Sequence, residues 1–201
     1  LVKLGGIEVT ANAMMAHPFN AEVQFRALFA LINLVIPSVS LAADGNIGSH
    51  ASYDGESSEK EMLDESVDQI VGLVVTAMKN FCSSEAILNR ACLVLHNLSL
   101  TQEYHAALLN APNCYQMLEW CLGNYLTDQV LQQSAAGTLH RLQTTLSSNE
   151  TLRSRFSASL QSQAQLSLEQ AHLEVMILRD REEDERHPIQ ISQIEESYGP
   201  G

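Results

Sequence analysis

The sequence predicts an all-α fold, a solenoid of stacked helical units, and three observations carry that prediction. The first is an internal repeat. Arg26-Ala27-Leu28-Phe29-Ala30-Leu31-Ile32-Asn33-Leu34, Arg90-Ala91-Cys92-Leu93-Val94-Leu95-His96-Asn97-Leu98 and Ser134-Ala135-Ala136-Gly137-Thr138-Leu139-His140-Arg141-Leu142 share a pattern of small and apolar residues around a polar one. A helical unit too small to bury its apolar face alone does so by stacking on the next copy. The second is spacing: 44 residues separate Asn97 from Arg141, inside the roughly 40 to 47 of two- and three-helix repeat units. Asn33 to Asn97 is 64 residues, and the excess falls in residues 44–68, where Gly45, Gly48 and Gly55 mix with Ser and acidic residues and the apolar period disappears. The third is composition. With 45% hydrophobic but only 5% aromatic residues, the chain suits helix-on-helix packing through Leu, Ala, Val and Ile.

The elements follow in order. Gly5-Gly6 breaks the chain, and residues 7–16 read as a short helix with Ile7, Val9, Ala11, Met14 and Met15 as its apolar surface. Pro18 biases His17 away from helical angles and ends it. A second helix over residues 21–35 has apolar residues on more than one face, so it is expected to be buried from several sides; Pro37 stops it. Beyond the insert, Ile70, Val71, Val74, Val75 and Met78 predict an amphipathic helix over residues 67–79. Ser83-Ser84-Glu85 recaps the chain for a helix over 86–100, a third runs over 101–110, and Ala111-Pro112-Asn113 closes the unit. Residues 114–122 open the next unit, Gly123-Asn124 reads as its C-cap, and Asp128 can cap a long helix over 130–146. From Glu150 to Arg186 there is little Gly or Pro, which predicts a last helix or helix pair capping the stack, and His187-Pro188 ends it.

The expected organisation is a first repeat in residues 1–40, an acidic Gly/Ser-rich disordered insert in 41–66, second and third repeats in 67–148, a C-terminal capping helix or pair in 149–187, and a flexible tail in 188–201. Leu1-Val2-Lys3-Leu4 reads like the end of a helix, so a preceding segment is expected.

Charge and cysteine usage narrow the function classes. The net charge is −13, with 24 acidic against 11 basic residues, which argues against a nucleic-acid partner because phosphate binding needs clustered Lys and Arg. No run of about 18 apolar residues exists, so membrane insertion is not expected. Cys82, Cys92, Cys114 and Cys121 lack a Cys-x-x-Cys pair, and reduced structural thiols in a cytoplasmic or nuclear setting are the expectation. No phosphate loop, nucleotide-binding glycine fingerprint, Gly-x-Ser-x-Gly elbow or His-Glu-x-x-His motif appears. A Cys92–His96 pair at helical spacing is conceivable, but nothing in the sequence supplies an orienting group, so no enzyme activity, metal or cofactor is expected.

Gly5-Gly6-Ile7, then Glu22-Val23-Gln24, then Ala27-Leu28-Phe29-Ala30-Leu31-Ile32-Asn33-Leu34 resembles the armadillo-repeat pattern, with Asn97-Leu98 kept in the second unit and Arg141 standing for the Asn in the third. The resemblance covers residues 1–148. It implies a right-handed α-solenoid of about three repeats and a concave groove in which Asn33 and Asn97 hold the backbone of an extended peptide, since an amide donates and accepts at once. One turn earlier stand Phe29, Leu93 and Gly137, so the Trp array of nuclear-import receptors is absent. Arg26, Arg90 and Arg141 would favour an acidic or phosphorylated ligand. Each position also has a plainer role: the Asn side chains satisfying nearby backbone, Arg26 and Arg90 in surface ion pairs, Phe29 and Trp120 in the core.

The function expected is therefore a non-catalytic scaffold that binds a segment of another protein. The alternatives are a regulatory domain of a larger kinase- or GTPase-linked polypeptide, or a structural subunit that dimerises through its C-terminal helix. Sequence does not fix the oligomeric state.

Overall fold

The structure, a computed structural model, describes residues 5–36 and 54–186, with side chains described for 5–36, 63–167 and 169–170. Among the described residues, eight α-helices and one short 3-10 turn account for the regular structure, and no strand occurs. In chain order they are α1 (Gly6–Ala16), α2 (Ala21–Leu34), α3 (Asp54–Asn80), α4 (Glu85–Ser99), the turn Gln102–Tyr104, α5 (His105–Asn110), α6 (Cys114–Asn124), α7 (Gln129–Ser148) and α8 (Glu150–Arg186). The chain divides into two units, residues 1–156 and 157–201. The first holds α1 to α7 and the start of α8, where Phe156 packs on Tyr115 with ring centroids 5.2 Å apart. The second is described through the continuation of α8, which is one helix where the sequence allowed one or two. The expected tail over 188–201, and the insert up to residue 53, lie outside the described residues.

Three helix hairpins organise the first unit, and their boundaries recur in register. First helices end at Ala16, Asn80 and Asn124; second helices begin at Ala21, Glu85 and Gln129. Both series advance by 64 and then 44 residues, the same steps that separate Asn33, Asn97 and Arg141. The turn of the first hairpin is held by one buried side chain: Gln24 Nε2 donates to the carbonyls of Met14 and His17, each at 2.9 Å. The last carbonyls of any helix lack an intrahelical partner, and at residue 18 a proline removes the N–H that would otherwise have served Met14. The third hairpin repeats this device, with Gln132 Nε2 donating to Leu122 and Tyr125 carbonyls at 3.0 Å each. Both glutamines reach back ten and seven residues. Entry into the second helix is also matched, since Asn20 accepts from the Val23 N–H and Asp128 from the Leu131 N–H, the geometry of an N-cap.

The central hairpin closes differently. Leu88 occupies the glutamine register and is fully buried, and Ser84 stands at the N-cap position without a side-chain bond. Helix α4 packs against α2 on one side, α7 on the other and α3 behind, so Ile87, Leu88, Ala91, Cys92, Val94, Leu95 and Leu98 are all buried. Full burial of one such side chain contributes about 1.5–3 kcal/mol, which makes α4 the core of the unit.

Several elements depart from the sequence reading. Helix α3 begins at Asp54, well before residue 67, because Glu, Lys and Met sustain helix by propensity where no apolar stripe marks it. Gly123 and Asn124 lie inside α6, and the C-cap is Tyr125. Trp120 is 38% exposed and meets Tyr125 edge-on at 5.8 Å instead of entering the core.

Candidate functional site

Helical spacing of three and four residues aligns side chains into one stripe. On α2 the stripe is Arg26, Phe29 and Asn33; on α4 it is Arg90, Leu93 and Asn97; on α7 it is Ser134, Gly137 and Arg141. Contacts tie the three stripes together in sequence. Asn97 Nδ2 donates to the Ile32 carbonyl at 3.1 Å, joining α4 to α2. The His96 ring lies so close to Gly137 that a Cβ there would sit 3.2 Å from it, and Arg141 Nη1 lies 3.4 Å from His96 Nδ1, joining α7 to α4. A side chain at residue 137 would crowd the His96 ring and the Arg141 guanidinium and make them shift by a few tenths of an ångström.

The seven residues singled out by sequence meet different fates. Asn33 is exposed and donates to the Phe29 carbonyl of its own helix at 2.9 Å, while Asn97 is half-buried and bridges helices. Each amide thus commits one donor to backbone and retains further hydrogen-bonding capacity. Arg26 is exposed and pairs with Glu22 at 2.5 Å. Leu93 is half-buried between its neighbours. Phe29 is 55% exposed and is not a core residue.

Arg90 is the unusual member. Its guanidinium carbon lies 4.1 Å from the centroid of Phe25 and 5.0 Å from that of Phe29, a cation–π arrangement with two rings one turn apart on α2. Its Nε is buried and lacks a hydrogen-bond partner. Among the described residues no carboxylate pairs with Arg90 or with Arg141. Arg141 Nη1 also reaches Ser99 Oγ at 3.3 Å. Burial, and then the Arg141 charge, hold the His96 pKa below its ordinary value, while a bond to the Ser134 backbone works the other way. Sequence reading missed Phe25, His96 and Ser99 as members of this face. Phe25 was accessible to it, since it stands four residues before Phe29.

Other groups do not assemble chemistry. The Cys92 thiol bonds Cys121 rather than His96, and that bond together with burial pushes its pKa up. Burial alone pushes Cys114 up to about 12, so these are inert core thiols. No group of three or more His, Cys, Asp or Glu among the described residues is placed to hold a metal. A shallow pocket of about 320 Å³ is lined by residues including Asp64, Asp68, Glu103 and Tyr104. There Tyr104 Oη donates to Asp64 at 2.6 Å, and burial, followed by that hydrogen bond and the Asp64 charge, raises the phenol pKa. No helix among the described residues is long and apolar enough to cross a membrane.

The chain matches no family model, no curated protein and no solved structure.

Proposed function

We propose that the first unit is a non-catalytic scaffold, a short armadillo-like solenoid whose α2–α4–α7 face binds a segment of another protein. The observation that carries this reading is Phe29. A large aromatic ring stands exposed on the outer helix, beside a guanidinium that has no carboxylate partner among the described residues, and aromatic and Arg side chains are the usual anchors of protein interfaces. The recurrence of hairpin boundaries at steps of 64 and 44 residues supports the solenoid, since stacked repeats place equivalent positions side by side.

The test is selection of an unbiased 12-residue peptide library on the purified chain, followed by affinity measurement on the wild type and on Phe29→Ala. Enriched peptides that lose affinity for Phe29→Ala, with circular dichroism unchanged, support the reading. Enriched peptides that ignore the substitution, or no enrichment at all, reject it.

A further inference from the structure

We propose that the segment bound on this face is acidic, and that Arg90 anchors it by bidentate contact with a Glu or Asp carboxylate. This rests on the scaffold reading and adds the chemistry of the ligand.

The argument begins with charge. The chain carries 24 acidic and 11 basic residues, so its cations would be expected to be neutralised locally. On the α2–α4–α7 stripes the reverse holds. Glu22 is consumed by Arg26, whereas Arg90 and Arg141 face the same side without a carboxylate among the described residues. Over those residues the face is a positive patch on a strongly negative molecule, and an acidic segment is steered to it while being repelled elsewhere.

Geometry then distinguishes the two cations. Arg90 is held over the Phe25 and Phe29 rings, contacts that restrict the guanidinium while contributing no hydrogen bond. A guanidinium offers five donors in a fixed fork; here Nε is buried, so the two terminal nitrogens are the donors that a ligand on this face can reach. The stacked, preorganised fork loses little further freedom on meeting a planar carboxylate, the partner its geometry fits best. Phe29, exposed beside it, would cover the aliphatic part of the same ligand residue. Arg141 lies on the neighbouring helix as a second positive point, oriented by Ser99 and His96. A carboxylate is favoured over a phosphate because a single guanidinium fork pairs with both carboxylate oxygens.

The experiment uses the full chain and four labelled 12-residue peptides read by fluorescence anisotropy: one alternating Glu and Leu, and its counterparts with Gln, Lys or phosphoserine in place of Glu. The Glu peptide is expected to bind about tenfold more tightly than the Gln peptide, because charge-assisted bonds replace neutral ones. Raising salt should weaken it, as the exposed part of the attraction is screened over about 8 Å at physiological ionic strength. Arg90→Gln should remove most of the difference between Glu and Gln peptides. Arg90→Lys should recover only part of it, since the charge remains but the stacked fork does not. Lys79→Gln, on an exposed helix end away from the face, should leave it intact. Arg141→Gln, with a smaller expected loss, keeps the test informative if Arg90 variants unfold.

Equal affinity for Glu and Gln peptides, preference for the Lys peptide, or a phosphoserine peptide bound more tightly than Glu overturns the proposal. So does self-association that Arg90→Gln abolishes, which would assign the face to a second copy. These failures leave the scaffold reading to the unbiased library: neutral peptides enriched there and lost on Phe29→Ala would reject the acidic ligand while keeping the binding face.

Discussion

The outer hairpins and the central one solve the same turn in two ways. In the first and third, a glutamine on the second helix reaches back to the exposed carbonyl ends of the first. In the central hairpin the equivalent residue is Leu88, buried without any polar contact to make. The difference follows from neighbours. Helix α4 has helices on both flanks and one behind, so its turn is fixed without a glutamine bridge. Helices α2 and α7 each have α4 on one flank, and a directional bond supplies the constraint that packing does not. Repetition of a backbone plan therefore does not require repetition of the force that holds it.

That comparison can be broken most severely at its centre. Leu88→Ala should destabilise the first unit by about 2–5 kcal/mol, the range for emptying a fully packed leucine site, read as a shift in urea midpoint at constant slope. Converting an outer turn to the central type is the next largest effect. Gln24→Leu leaves two carbonyls without their donor and should cost about 1–3 kcal/mol. Gln132→Leu should cost less, because Gln132 is only half-buried and water can replace it. Equal losses at the two sites would mean that burial does not set the strength of the device.

Smaller differences sharpen the contrast at the helix starts. Asn20→Ala removes a formed N-cap bond and should cost about 1 kcal/mol, whereas Ser84→Ala, whose hydroxyl makes no cap bond, should leave the thermal midpoint unchanged. The smallest effect is one of pH. His96 on the central hairpin has a folded pKa below its ordinary 6.5, so the unfolded chain takes up the proton more readily than the folded one. Its contribution is present above about 6.5 and declines as pH falls through that value. Asp128 is a separate case: burial opposes ionisation, but Leu131, Asn89 and Val130 hold its pKa below 3.8, and its contribution is lost only below that value. The thermal midpoint should therefore fall between about pH 7 and pH 5, and His96→Gln should flatten that slope. An unaltered slope would assign it to another group.

The all-helical fold and most helix boundaries were legible in the sequence because apolar spacing, Pro18 and the cap at Asp128 are local signals. The glutamine bridges were not. Gln132 sits in Gln129-Val130-Leu131-Gln132 with nothing local to mark it, and its role exists only once the turn brings two carbonyls to it. The start of α3 at Asp54 was hidden for a different reason, since helix propensity without an apolar stripe leaves no period to detect. For the candidate site, sequence named Phe29, Arg90 and Arg141 but placed Phe29 between core and groove and Arg90 between ion pair and groove. The pairing of Arg90 with Phe25 joins residues 65 apart in sequence, and no local pattern reports such a meeting.

Successive turns are also tied to one another, Asn80 Nδ2 donating to the Pro18 carbonyl at 3.0 Å and Tyr125 Oη to the Cys82 carbonyl at 2.6 Å. These links hold each turn against the next, so for the ligand proposed above the face they carry would act as a ruler. Packed helices lie about 8–10 Å apart, and an extended chain advances about 3.3 Å per residue. A ligand laid across α2, α4 and α7 would meet a new helix roughly every third residue, and the spacing of its side chains would be read before their identity.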